Sequence, residues 1–536
     1  MSIQLTPIGT FETGIFDDGA AEINAYDSGS QRLFVINSNA AQIDVLDVSD
    51  PSNPVLEGTI DATAVGAGAN SVAVNNGMVA VAIESDPSTD PGTVVFFSAD
   101  ADLASLDLAA ETAVEVGSLP DAVTFTPDGS KLLVANEGEP DDGVDPEGSI
   151  SIIDTTTFTV ETATFTAFNG QEDALRDAGV RLFPGIDVAN DVEPEFIAVS
   201  PDGTTAFVTL QEANAVAVVD IATATVTEIQ PLGVKDHSEL GNGFDASDED
   251  GFINIKSQPV VGLYQPDSIA SFEADGQVYY VTANEGDDRG DADDAADSPL
   301  GDAVRLADLG DVETFGRSGL ALDDSITSAF PNIADENQLG RLTISSIDGD
   351  TDGDGDIDVI HSYGARSFSI FDADGNLVFD SGDDFEQITA SVFTEDFNSD
   401  NDENGSFDSR SDAKGPEPEG VVVGEVDGKT YAFVGLERVG GVMVYDITDP
   451  ANSSFVDYVN NRDFSGDAEA GTAGDLGPEG LTFIPADDSP NNEALLAVSN
   501  EVSGTTTLYQ VEDIEPMDSG TVSTKPSSGS LSSVTS

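Results

Sequence analysis

Short apolar runs separated by polar turns recur along nearly the whole chain. Within many of them the side chains alternate, as in Asp121-Ala-Val-Thr-Phe-Thr and Ser149-Ile-Ser-Ile-Ile-Asp. A period of two over about four to eight residues marks a strand with one face toward a core. The runs group into a repeated unit. Pro120-Asp121-Ala122-Val123 leads through the turn Pro127-Asp128-Gly129 to Leu132-Leu133-Val134-Ala135-Asn136-Glu137, and 149–154 follows as a third strand. Pro194-Glu195 leads through Pro201-Asp202-Gly203 to Glu212, then to 215–220. Pro266-Asp267 leads through Asp275-Gly276 to Asn284-Glu285, Pro418-Glu419 through Asp427-Gly428 to Glu437, and Pro478-Glu479 to Asn500-Glu501. Two looser copies come first: 71–84 keeps the closing Glu84, and 22–37 keeps neither the Pro nor the second Glu.

Short strands, Asp-Gly turns and a repeat of tens of residues predict an all-β propeller of the WD40/YVTN-like kind. Seven copies predict seven blades. The stretch 341–381 has strand-like runs without the Pro-acid and Asn-Glu marks, so it either completes the outer part of the fifth blade or forms an eighth. The strand 3–11 is expected to close the ring on the last blade, which removes exposed sheet edges. Residues 1–513 then form one domain. Short helices are expected at 172–178 and 300–309, a loop insertion at about 286–340, and a Ser/Thr-rich linker over 514–536.

Charge changes the picture most. The 103 Asp and Glu against 17 Lys and Arg give a formal net charge of −86. Such a field repels nucleic acid and anionic membranes and attracts divalent cations. Salt screens the self-repulsion, so a marine or saline setting suits it. Cysteine is absent, which excludes disulfides and thiolate metal sites, and the two histidines, His237 and His361, leave little for a histidine-based hydrolase. No apolar run approaches the roughly 20 residues of a membrane span. The N-terminus shows no Sec-type signal, which points to a cytoplasmic protein, a trimmed chain or export through a C-terminal signal.

The repeat places one acid at the start of the first strand and another at the end of the second. In antiparallel neighbours those ends share one face of the disc. Asp121 with Glu137, Glu195 with Glu212, Asp267 with Glu285, Glu419 with Glu437, and Glu479 with Glu501 are therefore expected around the channel mouth, joined by Glu84, Glu193 and Glu417. Carboxylates this close do not all ionise without cations or Arg partners such as Arg438. Two roles follow: an oxygen cage for calcium, or caps for backbone amides within each blade.

Two further strings have calcium-loop spacing. Asp350-x-Asp352-x-Asp354-Gly355-x-Ile357-Asp358 matches the first nine positions of an EF-hand-type loop, with His361 in place of the closing Glu and Asp348 or Asp372 as substitutes. Asp400-x-Asp402-x-Asn404-Gly405-x-Phe407-Asp408 is the second copy, with Ser411 at the closing position and Asp412 beside it. Ca2+ is the expected ion. Arg289-Gly290-Asp291 spells an adhesion tripeptide, though so short a string arises readily by chance. No Gly-x-Ser-x-Gly elbow or phosphate-binding Gly-Lys-Ser/Thr loop is present.

The strings Tyr264-Gln-Pro-Asp-Ser-Ile-Ala, Thr282-Ala-Asn-Glu-Gly-Asp, Tyr363-Gly-Ala-Arg-Ser-Phe-Ser-Ile, Phe407-Asp-Ser-Arg-Ser-Asp-Ala-Lys-Gly-Pro-Glu-Pro-Glu-Gly-Val and Gly477-Pro-Glu-Gly-Leu resemble the choice-of-anchor I family of bacterial surface and secreted proteins, related to mesenchyme-specific cell surface glycoproteins. The resemblance covers about residues 10–512. It implies a propeller and a place outside the cell or on its surface. Some cyanobacterial members carry an alkaline phosphatase label, which implies a metal-dependent phosphoesterase as the alternative to a calcium-stabilised module that binds surface glycans or proteins. For phosphate esters the candidate residues are Glu285, Glu419 and Glu437 with Arg289, Arg366, Arg410, Lys414 and Arg438.

Overall fold

The computed structural model describes residues 2–141, 143–290, 301–315 and 317–514. Among them, seven four-stranded antiparallel sheets carry the repeat: blades 1 to 7 at 24–61, 68–118, 120–164, 194–231, 269–380, 418–459, and 478–514 with 2–12. The first strand of each blade packs against the first strands of its neighbours, and the series closes where Pro478–Ile484 meets Asn24–Asp27. The result is a propeller of seven blades. No eighth blade forms, because Ser367–Asp372 and Leu377–Asp380 are the outer strands of blade 5.

Burial explains the strand patterns. Second strands such as Lys131–Asn136 and Leu495–Asn500 are nearly continuous apolar runs, because each is covered on both faces by adjacent blades. Outer strands such as Val55–Asp61 are mostly exposed. The core is accordingly split into wedges between blades. Val81, Val95, Phe34 and Ile43 fill one wedge, Leu33, Leu46, Ala497 and Leu508 another. Asp275-Gly276 and Asp427-Gly428 have positive φ at both positions, the conformation that a tight Asp-Gly hairpin turn requires.

The five longest connections, 165–193, 232–268, 285–366, 381–417 and 460–477, lie on one face of the disc, where first strands begin and second strands end. The insertion in blade 5 runs from the end of Gln277–Asn284 to the start of Ser367–Asp372, further than the expected 286–340. It contributes Ala303–Arg305, Thr343–Ser345 and His361–Ser362 to a second sheet with Val234–Asp236 and Val261–Leu263, from the connection between blades 4 and 5. A separate apolar core, including Phe244, Val260, Leu306, Ile344 and Ile357, lies beneath it. The helix Glu172–Ala178 forms as expected. At 300–309 the described part is a short strand followed by the 3-10 turn Leu306–Asp311. The linker expected beyond residue 514 lies outside the described residues. Among those described, no helix is long and apolar enough to cross a membrane.

The strand Ser2–Glu12 pairs antiparallel with Thr505–Ile514, so the N-terminus supplies the outermost strand of blade 7. Ile3 and Leu5 are buried in the wedge between blades 6 and 7. Deleting residues 2–12 removes this apolar area, about 1.5–3 kcal/mol per fully buried side chain, and bares a long sheet edge. A lower melting temperature and concentration-dependent association are expected. Differential scanning fluorimetry with light scattering checks this, and an unchanged monodisperse protein would show that the strand does not close the ring.

Candidate functional site: an acid-ringed channel mouth

The axial channel holds about 750 Å³ and is lined by the first strands of all seven blades, with Glu22, Asp121, Asp267 and Glu479 in its wall. A shared backbone irregularity aims the acids there. In blades 3, 4, 6 and 7 the pairing of first and second strands slips between the Pro and the residue three places on: Pro120/Val123, Pro194/Ile197, Pro418/Val421 and Pro478/Leu481. The acid follows the Pro in each case and so sits in the bulge. A bulge inserts an extra residue and re-aims its side chain. Blade 2 slips between Ala69 and Ser71, which puts Asn70 at the equivalent place.

The second acid of each pair follows the second strand. The amides of Glu137, Glu437 and Glu501 donate back to the carbonyls of Leu119, Glu417 and Gly477 at 2.9, 2.8 and 2.8 Å. This holds the backbone at the mouth by main-chain bonds alone, while the Glu437 carboxylate accepts from Asn401 Nδ2 at 3.0 Å. The two sets interact around the ring. Burial first, then Glu212, Asp267, Glu137 and Asp121, push Glu195 far above the usual carboxylate range. Burial, Glu22, Glu501, Asp267 and Asp121 do the same to Glu479; burial, Glu437, Glu285, Glu501 and Glu479 to Glu419. Burial raises Asp121 to about 7. Glu137, Asp267 and Glu437 are raised likewise, by burial before their acidic neighbours.

Compensation is uneven. On the side of blades 5 and 6, Glu417 is fully buried and gathers Arg410 at 2.6 Å, Lys414 at 3.1 Å and Arg438 at 3.2 Å. Burial alone would raise its pKa, but these three cations hold it far below the ordinary range. Lys414 also contacts Glu285 at 2.6 Å, and Arg438 contacts Glu437 at 3.0 Å. Glu285, Glu417 and Glu437 have oxygens within 4.8 Å of one another, with basic side chains already among them. On the side of blades 3 and 4, Arg289 contacts Glu193 at 3.0 Å. Glu193 Oε1, Glu195 Oε2 and Glu212 Oε2 are buried there without a hydrogen-bond partner, as are Glu419 Oε2 and Glu479 Oε2 around the ring.

The two calcium-type strings fare differently. In the first, carboxylate oxygens of Asp350, Asp352 and Asp358 lie within 4.8 Å of one another, and Asp323 with Asp356 forms an overlapping group through Asp358. Asp354 is outside both groups, its Oδ1 accepting from the Asp356 amide. The second string does not converge. Asp400 lies 3.5 Å from Arg438, Asn404 donates to the carbonyls of Asp463 and Gly466 and accepts from Arg462, Asp402 joins no group of acids, and Asp408 turns inward to Ser411. Ion pairs and hydrogen bonds to neighbouring connections override the loop pattern.

Arg366 does not face the mouth. It is buried against Glu386 at 2.7 Å and caps the carbonyls of Asp245, Ser411 and Ala413. His361 Nδ1 contacts the Val359 carbonyl at 3.0 Å. Asp291 of the Arg-Gly-Asp string lies outside the described residues. Three mouth acids escaped notice as such. Glu22 fills the place of the Pro-linked acid in blade 1 and accepts from Ser38 Oγ at 2.6 Å. Asp287 and Glu139 each stand two residues beyond a strand-ending Glu. An acid two or three residues before an apolar run was the only signal for Glu22, because its Pro is missing.

The buried acids of the mouth make the protein sensitive to pH. Burial before all else raises Glu22 from 4.5 to about 7 and Asp121 from 3.8 to about 7. The folded state therefore holds these protons more tightly than the unfolded chain. Their stabilising contribution is full below about pH 4 and is lost as pH rises through 7. In chelator, the melting temperature of the wild type relative to Asp121→Asn should fall between pH 5 and pH 8. A constant difference across that range would show that Asp121 does not titrate there.

Known proteins place this sequence in a family. Gigasin-3a of Magallana gigas is 30% identical over 200 residues, 34% of this chain and 69% of that protein. The mesenchyme-specific cell surface glycoprotein of Strongylocentrotus purpuratus is 29% identical over 249 residues, 42% of this chain, and the match spans 31% of that protein's length. Among solved structures, Kuenenia stuttgartiensis hydrazine synthase aligns with a TM-score of 0.43 at 13% identity over 92% of this chain and 96% of that one. The WD40 domain of Toxoplasma gondii coronin gives 0.42 at 8% over 95% and 88%. The profile of the choice-of-anchor I domain matches residues 22–450, from the mouth acid of blade 1 into blade 6 and across the insertion. The chain belongs to the choice-of-anchor I domain family.

Proposed function

We propose that this protein is a propeller module displayed outside the cell or on its surface, and that its channel mouth binds divalent cations, calcium foremost, through which it engages a ligand. The observation that carries the reading is the set of buried carboxylate oxygens without partners: Glu193 Oε1, Glu195 Oε2, Glu212 Oε2, Glu419 Oε2 and Glu479 Oε2. Burying an unpartnered ionised carboxylate costs several kcal/mol, and a hard cation relieves that cost for several at once. Calcium accepts about six to eight oxygens in flexible geometry, which suits a ring drawn from different blades. The group of Asp350, Asp352 and Asp358 supports a further calcium on the insertion. Display at a surface is supported by the name of the sea-urchin relative and by the family's own description.

A calcium-dependent phosphoesterase is the second reading, favoured by the convergence of Arg410, Lys414 and Arg438 beside the acids. Glu417 engages all three, however, which leaves little positive charge directed at a phosphate. Binding without turnover is therefore the stronger reading.

Titration of chelator-treated protein with calcium should raise the melting temperature, by mass action about 2.7 kcal/mol of added stability at 100 times Kd. Glu195→Gln and Glu479→Gln should each weaken that response. Chromogenic phosphate mono- and diesters should show no calcium-dependent turnover. Turnover lost in Glu419→Gln would establish the phosphoesterase instead. A melting temperature indifferent to calcium would remove the cation-loaded mouth altogether.

A further inference from the structure

A second cavity, of about 300 Å³, lies at blade 7 and shares no residue with the wall of the axial channel. One face of the sheet supports it. Thr505, Thr507 and Tyr509 alternate along the third strand and so stand on one side of it. Thr10 and Glu12 of the N-terminal strand pair directly with Thr507 and Thr505, which puts their side chains on that side too. The connection 460–477 passes over this face and brings Asn461, Glu469, Ala470 and Asp475 to the cavity. Ile15, Phe16 and Leu476 form its apolar wall, with Phe16 packed against the cluster of Ala468, Ala473, Leu476 and Val502.

Asp475 is 6% exposed and accepts at both oxygens. Thr507 Oγ1 donates to Oδ2 at 2.7 Å, Asn461 Nδ2 at 2.8 Å and Tyr509 OH at 3.4 Å. Thr505 Oγ1 donates to Oδ1 at 2.8 Å. A carboxylate oxygen has two lone pairs, so Oδ1 keeps one for a further donor. All four donors are neutral, and Asp475 forms no ion pair among the described residues. No Lys, Arg or His lines the cavity, whereas Glu12 and Glu469 stand exposed in its wall. Neutral donors satisfy hydrogen bonds but leave the buried charge itself uncompensated. Among the described residues, no group of three acids close enough to share a metal ion includes Glu12, Glu469 or Asp475. The counter-charge that suits this wall is therefore an organic cation.

We infer that the cavity binds a primary ammonium carried on a short apolar chain, with the ammonium at Asp475 and the chain against Ile15, Phe16 and Leu476. An ammonium group brings three N–H donors. Asp475 Oδ1 and the hydroxyl oxygens of Ser503 and Thr505, all in the wall, are acceptors for them. A quaternary ammonium has no N–H and relies on a cage of aromatic faces, and Phe16 is the only aromatic residue in this wall. The volume sits at the lower end of the range for small-molecule sites, about 300–1,000 Å³. A free amine and a lysine side chain of a peptide both present this chemistry. The site stands apart from the channel mouth and does not depend on the mouth binding anything.

The test uses the full chain in about 0.5 M NaCl, which screens the diffuse attraction of so acidic a protein for any cation. Ligand-observed NMR titration compares n-butylammonium, tetramethylammonium, 1-butanol and Nα-acetyl-lysine methylamide. Butylammonium should bind saturably and equally in calcium and in chelator, with tetramethylammonium and butanol at least tenfold weaker. Asp475→Asn should weaken butylammonium at least tenfold. Ala470→Phe, at an exposed position in the wall, should fill the cavity and block binding, and it decides the matter where Asp475→Asn fails to fold. Asp121→Asn, altered only at the mouth, should bind as the wild type does. Tighter binding of the lysine derivative than of butylammonium identifies a peptide side chain as the occupant, and the reverse order a free amine. The inference is overturned by an absence of saturable binding, by butanol binding as well as butylammonium, or by affinity unchanged in Asp475→Asn or in Ala470→Phe. A tenfold loss in Asp121→Asn overturns it too, since that puts the amine at the mouth.

Discussion

Seven sheets share one axis, and their first strands must begin side by side around a narrow opening. The wedges between blades enforce this arrangement, since each sheet is apolar on both faces and finds cover only against its neighbours. Any residue type that recurs at the start of the first strand is thereby collected into a ring. Here that residue is an acid. The apolar packing that stabilises the disc is what forces the carboxylates together, and they have to be relieved by protons, basic side chains or cations.

The chain meets this constraint differently on the two sides of the mouth. Between blades 5 and 6, the basic residues of one connection are concentrated on Glu417, so the charges there are balanced within the protein. Between blades 3 and 4, Arg289 stands among Glu193, Glu212 and Asp191, and buried oxygens remain unmatched. With only 17 basic residues against 103 acids, the chain has few cations to distribute. Where it puts them marks the parts of the mouth balanced within the protein, and the remainder keeps buried oxygens unmatched.

The connections on the mouth face form a layer with its own sheet and apolar core. That layer is stitched by buried pairs, Arg181 with Asp302 and Asp348, and Arg366 with Glu386. Breaking one partner of such a pair leaves a buried charge uncompensated, which costs more than the pair contributes. The layer therefore sets the positions of Glu285, Lys414 and Glu417, residues that belong to connections and not to blade strands.

Much of this was legible in the chain itself. Period-two runs, Asp-Gly turns and the recurring Pro-acid and Asn-Glu marks give seven copies of a blade unit and name most of the ring, because each is a local signal repeated at a fixed place in a repeated unit; that 341–381 adds no eighth blade was decided by strand pairing in blade 5. Closure by the N-terminal strand was legible for the same reason. What only the tertiary structure decided lies in the connections. The spacing of Asp400 to Asp408 reads as a calcium loop, yet Arg438, Arg462 and Ser411 draw its members apart. Arg366, Glu386 and the carbonyls of Asp245, Ser411 and Ala413, far apart in sequence, meet only because separate connections pack together. Local spacing fixes which atoms a segment offers, whereas long-range packing and the few available cations fix where those atoms point.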